Sequence, residues 1–205
     1  MWFLCNADVH ESIYDKEVDV VDWARNFLDE FLDNCIVTDS MPDKTTPRNP
    51  IWIPPALAIY KINCDATLAG RLVGVGIVIR DSEGFVMASS SQKIEVTLSP
   101  QVAEAVAIFR GIKLTIETSL TSCCIESGAE VVVGWINSKN PLCSKIGVVI
   151  DDIHVLLEQV HCGSINFVSR KANQVAHMLA KNGISFVENM FWLEEFLPCW
   201  FLYFD

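Results

Sequence analysis

The side chains best suited to chemistry in this chain are two carboxylates and an imidazole in otherwise apolar segments. Asp65 follows the alternating stretch Tyr60–Cys64, and Glu104 lies between two alanines in an apolar helical pattern. His177 belongs to a second helical pattern near the C-terminal end. A carboxylate beside a buried strand needs a partner that holds it, because an isolated buried charge is costly. Asp65 is therefore the first candidate for a functional group.

Each of these residues also has a purely structural interpretation. Asp65 could cap a turn into Thr67, and Glu104 could be an N-terminal helix charge that the helix dipole favours. His177 shares a helix face with Asn173 and could be a surface or cleft residue. The residue types alone leave both interpretations open.

The elements that would position these side chains follow from alternation and turn chemistry. Three antiparallel strands are predicted over 60–65, 73–79 and 85–96, and Ser99-Pro100 predicts the start of a helix that ends at Thr118. The remaining predicted elements are a strand at 122–126, helices at 129–138 and 144–161, a strand at 164–169 and a helix at 170–182. The order βββαβααβα predicts an α/β fold, a mixed five-stranded sheet with helices on both faces.

Charge divides the chain into unlike regions. The net charge is −11, yet residues 61–183 hold equal numbers of basic and acidic residues, so the acidity lies in the flanks. The predicted regions are an acidic N-terminal helical extension at 1–36, a Pro/Thr-rich linker at 37–56, a domain at 57–183 and an aromatic acidic C-terminal tail at 184–205. This distribution excludes a uniformly basic nucleic-acid-binding protein, but the neutral centre leaves room for a local basic groove.

The eight cysteines form no CxxC motif and no Cys/His metal pattern, which favours free thiols in a reducing compartment. Met1–Leu4 is too short an apolar run for a signal peptide. The tail is too short and too acidic for a membrane span. We therefore expect an intracellular protein, in the cytoplasm or nucleus, with no membrane partner.

Five segments occur in an informative order: Cys64-Asp65-Ala66, Gly74–Asp81, Ala103-Glu104-Ala105, Glu126-Ser127 and Arg170–Ala180. With them, the chain from about Lys61 to Asn182 resembles the ribonuclease H type-1 (RNase H-like) superfamily. The resemblance is closest to the plant branch related to the reverse-transcriptase tails of retrotransposons. The upstream Trp52–Pro55 and the aromatic tail look like the same plant branch.

The resemblance implies an activity and a metal site. RNase H enzymes cut the RNA strand of an RNA–DNA hybrid with two Mg²⁺ ions, which activate a water and stabilise the leaving oxygen. Four acids hold the ions, since Mg²⁺ prefers carboxylate oxygens. The first acid corresponds to Asp65 and the second to Glu104, whereas the third position is Gly128 and the fourth is His177. The implied Mg²⁺ site therefore keeps two catalytic and metal-binding acids and lacks two.

The resemblance also implies a surface for the RNA–DNA hybrid. Gly74 and Gly76 would admit the hybrid backbone; they lie inside a strand and open no helix, which excludes a dinucleotide-binding loop. The other implied nucleic-acid contacts are Arg80, Arg170, Lys171 and Asn173.

Three functions stay open at this point. The first is a hybrid endonuclease with weakened activity, and the second is a nucleic-acid-binding protein that has lost it. Glu126, two residues before Gly128 and roughly 6–7 Å back along the strand, is disfavoured as a substitute ligand. The third is a protein-interaction module that uses the aromatic residues 186–204, although this segment could instead pack back on the domain.

Overall fold

The computed structural model describes residues 51–138 and 144–194. The predicted acidic helix at 18–32 lies outside the described residues, as does the end of the tail from 195 onward. In the described ranges no helix is both long and apolar enough to cross a lipid bilayer.

The described residues form six strands and four helices. The strands are β1 (Tyr60–Ala69), β2 (Leu72–Arg80), β3 (Val86–Glu95), β4 (Ser122–Ser127), β5 (His161–Phe167) and β6 (Met190–Leu193). The helices are α1 (Pro100–Glu117), α2 (Glu130–Ser138), α3 (Lys145–Leu157) and α4 (Gln174–Ser185). The predicted order of elements is confirmed, with β6 added after α4.

The strands form one mixed sheet in the order β5-β4-β1-β2-β3-β6. β1 pairs in parallel with β4, and β4 with β5, whereas β2, β3 and β6 join by antiparallel pairing. The sheet has one strand more than predicted, because Met190–Leu193 pairs with β3. The first part of the predicted tail therefore packs back on the domain as an edge strand.

β1 is longer than predicted, and Asp65 lies in its middle. Asp65 pairs with Gly76 inside the β1–β2 ladder, which continues to Ala69 opposite Leu72. The prediction that Asp65 ends the strand is therefore wrong, since antiparallel pairing with β2 carries the strand onward. Both faces of β1 are covered by helices.

One face of the sheet carries the apolar core under α1. A Cβ at Gly111 of α1 would lie 2.4 Å from Cys64 Sγ and 3.4 Å from Ile62, so helix and strand are in close contact. The largest fully buried side chains of the domain include Ile62, Ile77, Ile108, Ile112, Ile125, Ile150 and Ile153. Each such burial stabilises the fold by about 1.5–3 kcal/mol. As predicted, Ser99 is the N-cap of α1 and accepts a hydrogen bond from the Val102 amide.

The opposite face carries α4, which lies directly on two glycines of β2. A Cβ at Gly74 would be 1.9 Å from the Ala180 carbonyl oxygen, and one at Gly76 would be 2.0 Å from that of Ala176. Gly74 and Gly76 do admit a backbone, but it is that of α4. The prediction that they admit a nucleic-acid backbone is wrong, because α4 fills the space.

The bounds of the C-terminal elements differ most from the prediction. β5 begins at His161, which the periodicity had assigned to the preceding helix, and that helix ends at Leu157. α4 begins at Gln174, with Asn173 as its N-cap residue. Residues 170–173 form a turn that enters the helix.

Candidate functional site

Both carboxylate oxygens of Asp65 face N–H donors from the start of α4. Asn173 Nδ2 donates to Asp65 Oδ1 at 3.3 Å and to the Cys64 carbonyl at 2.9 Å. His177 Nδ1 lies 2.8 Å from Asp65 Oδ2. The Asn173 side chain makes no capping bond to its own helix, because it reaches across to β1 instead. Asp65 is thus held by protein groups at both oxygens.

The partners of His177 define its tautomer. Arg170 Nη2 lies 2.6 Å from His177 Nε2. A guanidinium is only a donor, so Nε2 must accept and Nδ1 must carry the proton that it donates to Asp65. His177 therefore links the exposed Arg170 to the buried Asp65.

Glu104 reaches the same site from α1. The backbone of Ala66 hydrogen-bonds to its carboxyl, while burial and the nearby Asp65 raise the pKa of Glu104 to about 8. Within the described residues, Oε2 of Glu104 has no hydrogen-bond partner. Two carboxyls that share a site without a cation repel each other, which favours a proton on one of them. At neutral pH its carboxyl keeps a proton.

Gly128 lies directly beside these groups. A Cβ at this position would be 3.8 Å from Asp65 Oδ1 and 3.9 Å from Asn173 Nδ2, both ordinary van der Waals distances. The backbone thus places residue 128 where a third side chain could join the site, and glycine leaves that place without a ligand.

Glu126 is committed to a different set of contacts. Its carboxylate lies 2.6 Å from Lys61 Nζ and accepts a hydrogen bond of 3.0 Å from Asn63 Nδ2. Lys61, Asn63 and Asp65 occupy alternate positions of β1 and share one face. Glu126 therefore neutralises Lys61 and does not replace the missing acid at Gly128.

Asn63 is the centre of the buried polar network on this face. Besides Glu126, its amide donates to Asn173 Oδ1 at 3.2 Å. Its oxygen accepts from Trp52 Nε1 and Arg80 Nη2, each at 3.0 Å. All four hydrogen-bonding positions of the side chain are used, which fixes its orientation. Asn63 and Lys61 were not predicted as site residues, although a polar residue at every second position of β1 was a signal that could have identified them.

Trp52 covers the end of this network from outside the sheet. Its ring stacks on the Arg80 guanidinium at 3.7 Å, and Lys61 Nζ donates to the Ile53 carbonyl at 2.7 Å. Burial lowers the pKa of Arg80 to about 10. Arg80 was predicted to contact nucleic acid; its guanidinium lies between Asn63 and Trp52, and the contact with nucleic acid stays a prediction. Residues 51–55, predicted as linker, belong to the site.

The remaining residues that were predicted to contact nucleic acid differ in how far they are buried. Arg170 and Lys171 are exposed in the turn before α4, whereas Asn173 is 1% exposed. Asn173 therefore positions β1 against α4, and the prediction that it contacts nucleic acid is wrong.

The donor set of this site does not fit two Mg²⁺ ions. Asp65 faces N–H groups, His177 presents a protonated Nδ1, and Gly128 offers no ligand. In the described ranges no three His, Cys, Asp or Glu side chains converge as a possible metal site. Within residues 51–138 and 144–194, the implied Mg²⁺ site therefore keeps Asp65 and Glu104 and has no carboxylate at positions 128 and 177.

A family model described as reverse transcriptase-like matches residues 63–183, more than half of the chain. The chain belongs to the reverse transcriptase-like family. The matched residues contain Asp65, Glu104, Gly128 and His177, so all four positions of the implied acids lie within the family region. No curated protein sequence matches the chain.

Solved structures agree with this family on the fold. The RNase H1 of Halobacterium salinarum NRC-1 is 17% identical with a TM-score of 0.57, and the match covers 62% of this chain and 97% of that one. The N-terminal RNase H domain of Rv2228c from Mycobacterium tuberculosis is 21% identical with a TM-score of 0.55, covering 62% and 93%. LC11-RNase H1, isolated from compost by a metagenomic approach, was solved with an RNA/DNA hybrid; it is 21% identical with a TM-score of 0.55, covering 62% and 96%. The reverse transcriptase-like domain thus has the RNase H-like fold.

Proposed function

We propose that the described domain binds nucleic acid, with RNA–DNA hybrids as the ligand class, and that it no longer cleaves them. The observation that carries this proposal is the contact of both Asp65 oxygens with N–H donors of Asn173 and His177. Each of the two oxygens that metal ions would need already accepts a hydrogen bond from the protein, and position 128 supplies no further acid. Such a domain keeps a surface for nucleic acid and lacks the ligands for two-metal hydrolysis.

Two exposed cations support the binding part of the proposal. Arg170 and Lys171 lie in the turn before α4, and Arg170 contacts His177 at the edge of the network. Cations of this kind neutralise phosphates without reading sequence. The hybrid bound to LC11-RNase H1 is the ligand class proposed for this domain.

The test measures binding and cleavage of one labelled RNA–DNA hybrid by the full chain. Fluorescence anisotropy at low salt should detect binding, and gels with Mg²⁺ or Mn²⁺ should find cleavage at background. Lys171→Gln should weaken binding. Lys113→Gln is the matched control, because Lys113 lies on the exposed surface of α1.

Three results would contradict the proposal. Absence of binding at low salt would exclude the ligand class. Robust cleavage that Asp65→Asn abolishes would assign an active endonuclease to this site. Robust cleavage that survives Asp65→Asn would place the chemistry outside it.

The protein-interaction alternative concerned residues 186–204. Its described part does not favour that function, since Met190–Leu193 pairs with β3. For residues 195–204, which lie outside the described ranges, it stays a prediction.

A further inference from the structure

Two cysteines lie side by side on neighbouring parallel strands, away from the polar network. Cys123 of β4 is the register partner of Cys162 of β5. Neighbouring strands lie about 4.8 Å apart, which is within the Cα separation that a disulfide spans. Register partners project to the same face of a sheet, and both side chains pack against the apolar core. The backbone thus already meets the geometric requirement for a bridge.

The two thiols differ in access. Cys123 is 1% exposed, whereas Cys162 is half-buried on β5, the edge strand of the sheet. A small reagent therefore reaches Cys162 before it reaches Cys123.

The more accessible thiol, Cys162, is also the more acidic of the two. The neighbouring Cys123 thiol lowers the pKa of Cys162, whose Sγ lies 3.4 Å from the Ser164 carbonyl oxygen. The neighbouring Cys162 thiol, together with burial, raises the pKa of Cys123. The half-buried thiol is thus the better nucleophile, because the thiolate is the reactive form. Cys124, the next residue along β4, has its pKa raised by burial.

We propose that Cys123 and Cys162 are a redox pair that forms a reversible disulfide between β4 and β5 on exposure to a low-molecular-weight disulfide such as oxidised glutathione. The Cys162 thiolate attacks one sulfur of oxidised glutathione, the glutathione S–S bond breaks, and one reduced glutathione leaves. The Cys123 sulfur then loses its proton and attacks Cys162, which expels the second glutathione. The protein loses two electrons and two protons, and one oxidised glutathione becomes two reduced ones.

The bridge would join the edge strand to its neighbour at the end remote from the Asp65 site. Cys123 lies near the start of β4, and Gly128 follows the end of that strand. Oxidation should therefore raise the melting temperature without changing hybrid binding. We expect a rise of about 5 °C or more, because the bridge closes a long loop between the two strands.

The experiment equilibrates the full chain in glutathione buffers from reducing to oxidising and then blocks free thiols. Peptide mass mapping should find a Cys123–Cys162 cross-link in oxidising buffer that dithiothreitol removes. Cys162→Ser should abolish this cross-link, and Cys124→Ser, the matched control, should leave it. Cys123→Ala should stop the reaction at a glutathione adduct on Cys162.

The same measurements define the results that would contradict the proposed redox pair. Free thiols at both positions in oxidising buffer would overturn it, as would a bridge from Cys162 to Cys124 in preference to Cys123. A wild-type protein that stops at the glutathione adduct would show that Cys123 does not resolve it. Circular dichroism shows whether Cys123→Ala is folded. If the folded variant forms no glutathione adduct on Cys162, the proposal is also contradicted.

Discussion

Gly128 is the position where one side chain would most change the chemistry of the site. Gly128→Asp fits at ordinary contact distance and adds a carboxylate beside Asp65 and Glu104. His177→Asp removes an N–H donor from Asp65 and adds another acid. We expect the double variant to gain Mg²⁺-dependent hybrid cleavage well above the sum of the single variants, because ligands of one metal site act together. Gel assays with and without a chelator measure the gain.

A matched control for this gain is Gly134→Asp on α2, where a Cβ meets nothing within 4 Å. It adds the same charge away from Asp65 and should leave cleavage at background. A folded double variant that binds hybrid and Mg²⁺ but does not cleave would contradict the assignment of these positions.

Glu104 should make the stability of the domain depend on pH. Its pKa is about 8 in the folded protein against about 4.3 in an unfolded chain. Between these values the folded state keeps a proton that the unfolded state has lost, so stability falls as pH rises. Glu104→Gln should flatten this slope and raise the melting temperature at pH 8.5 above that of the wild type.

Thermal melts from about pH 5 to 8.5 measure the effect of Glu104. Asp65 and the buried Cys64 thiol face the same carboxyl and are unchanged in the variant. Glu117→Gln on the exposed end of α1 is the control and should keep the wild-type slope. An unchanged slope in Glu104→Gln would mean that Glu104 is ionised at neutral pH.

At the scale of elements, the contact between β2 and α4 depends on the absence of a side chain at Gly76. Gly76→Ala would place a Cβ 2.0 Å from the Ala176 carbonyl and 2.3 Å from the Ala180 amide nitrogen, so the helix backbone must move. We expect a loss of about 2–3 kcal/mol in urea denaturation. Gly134→Ala, in an open helical position, should instead gain up to about 1 kcal/mol. Equal effects at the two positions would contradict this packing.

Trp52 makes residues 51–55 part of the domain. Trp52→Ala removes the stack on Arg80 and the hydrogen bond to Asn63, and we expect it to cost about 2–3 kcal/mol. Trp52→Phe keeps an aromatic ring and should cost about 1 kcal/mol. Leu57→Ala is the control, because Leu57 is 87% exposed. Urea denaturation measures the stability of all three variants. If Trp52→Ala does not change the free energy of unfolding, residues 51–55 do not contribute to the stability of the domain.

The features that depend on residues close in sequence were predicted better than those that depend on residues remote in sequence. The start of α1 at Ser99-Pro100 depends on neighbouring residues and could be predicted from the local pattern. β6 could not, because its pairing with β3 joins residues remote in sequence. The role of Gly76 could be predicted only in part. The pattern indicated that another backbone approaches this glycine, and the structure identifies it as the backbone of α4.

In the candidate site, too, some residues could be predicted from the sequence and some contacts could not. Asp65 and Glu104 were predictable because family order fixed their positions. The contacts of Asn63 were not, since alternation in β1 suggests one apolar and one solvated face. Both faces are buried, so the polar face had to find its partners inside the protein.

At the scale of the whole molecule, the acidic flanks should limit the electrostatic part of hybrid binding. The full chain carries a net charge of −11, and the binding proposal rests on two exposed cations beside the site, Arg170 and Lys171. Each phosphate contact contributes about −0.9 to the slope of log K against log salt. We expect a slope of about −2 for the full chain, measured by anisotropy across salt concentrations. A slope of about −6 or steeper would require cations elsewhere.

The polar network also has a consequence in time. Asp65 and Asn173 are 108 residues apart, and a ribosome adds about 5–20 residues per second. For roughly 5–20 s during synthesis, the nascent chain therefore carries Asn63 and Asp65 on a strand whose partners from α4 do not yet exist. Translation must reach the last helix before these two side chains can leave water, so the strand at the centre of the sheet is among the last to be enclosed.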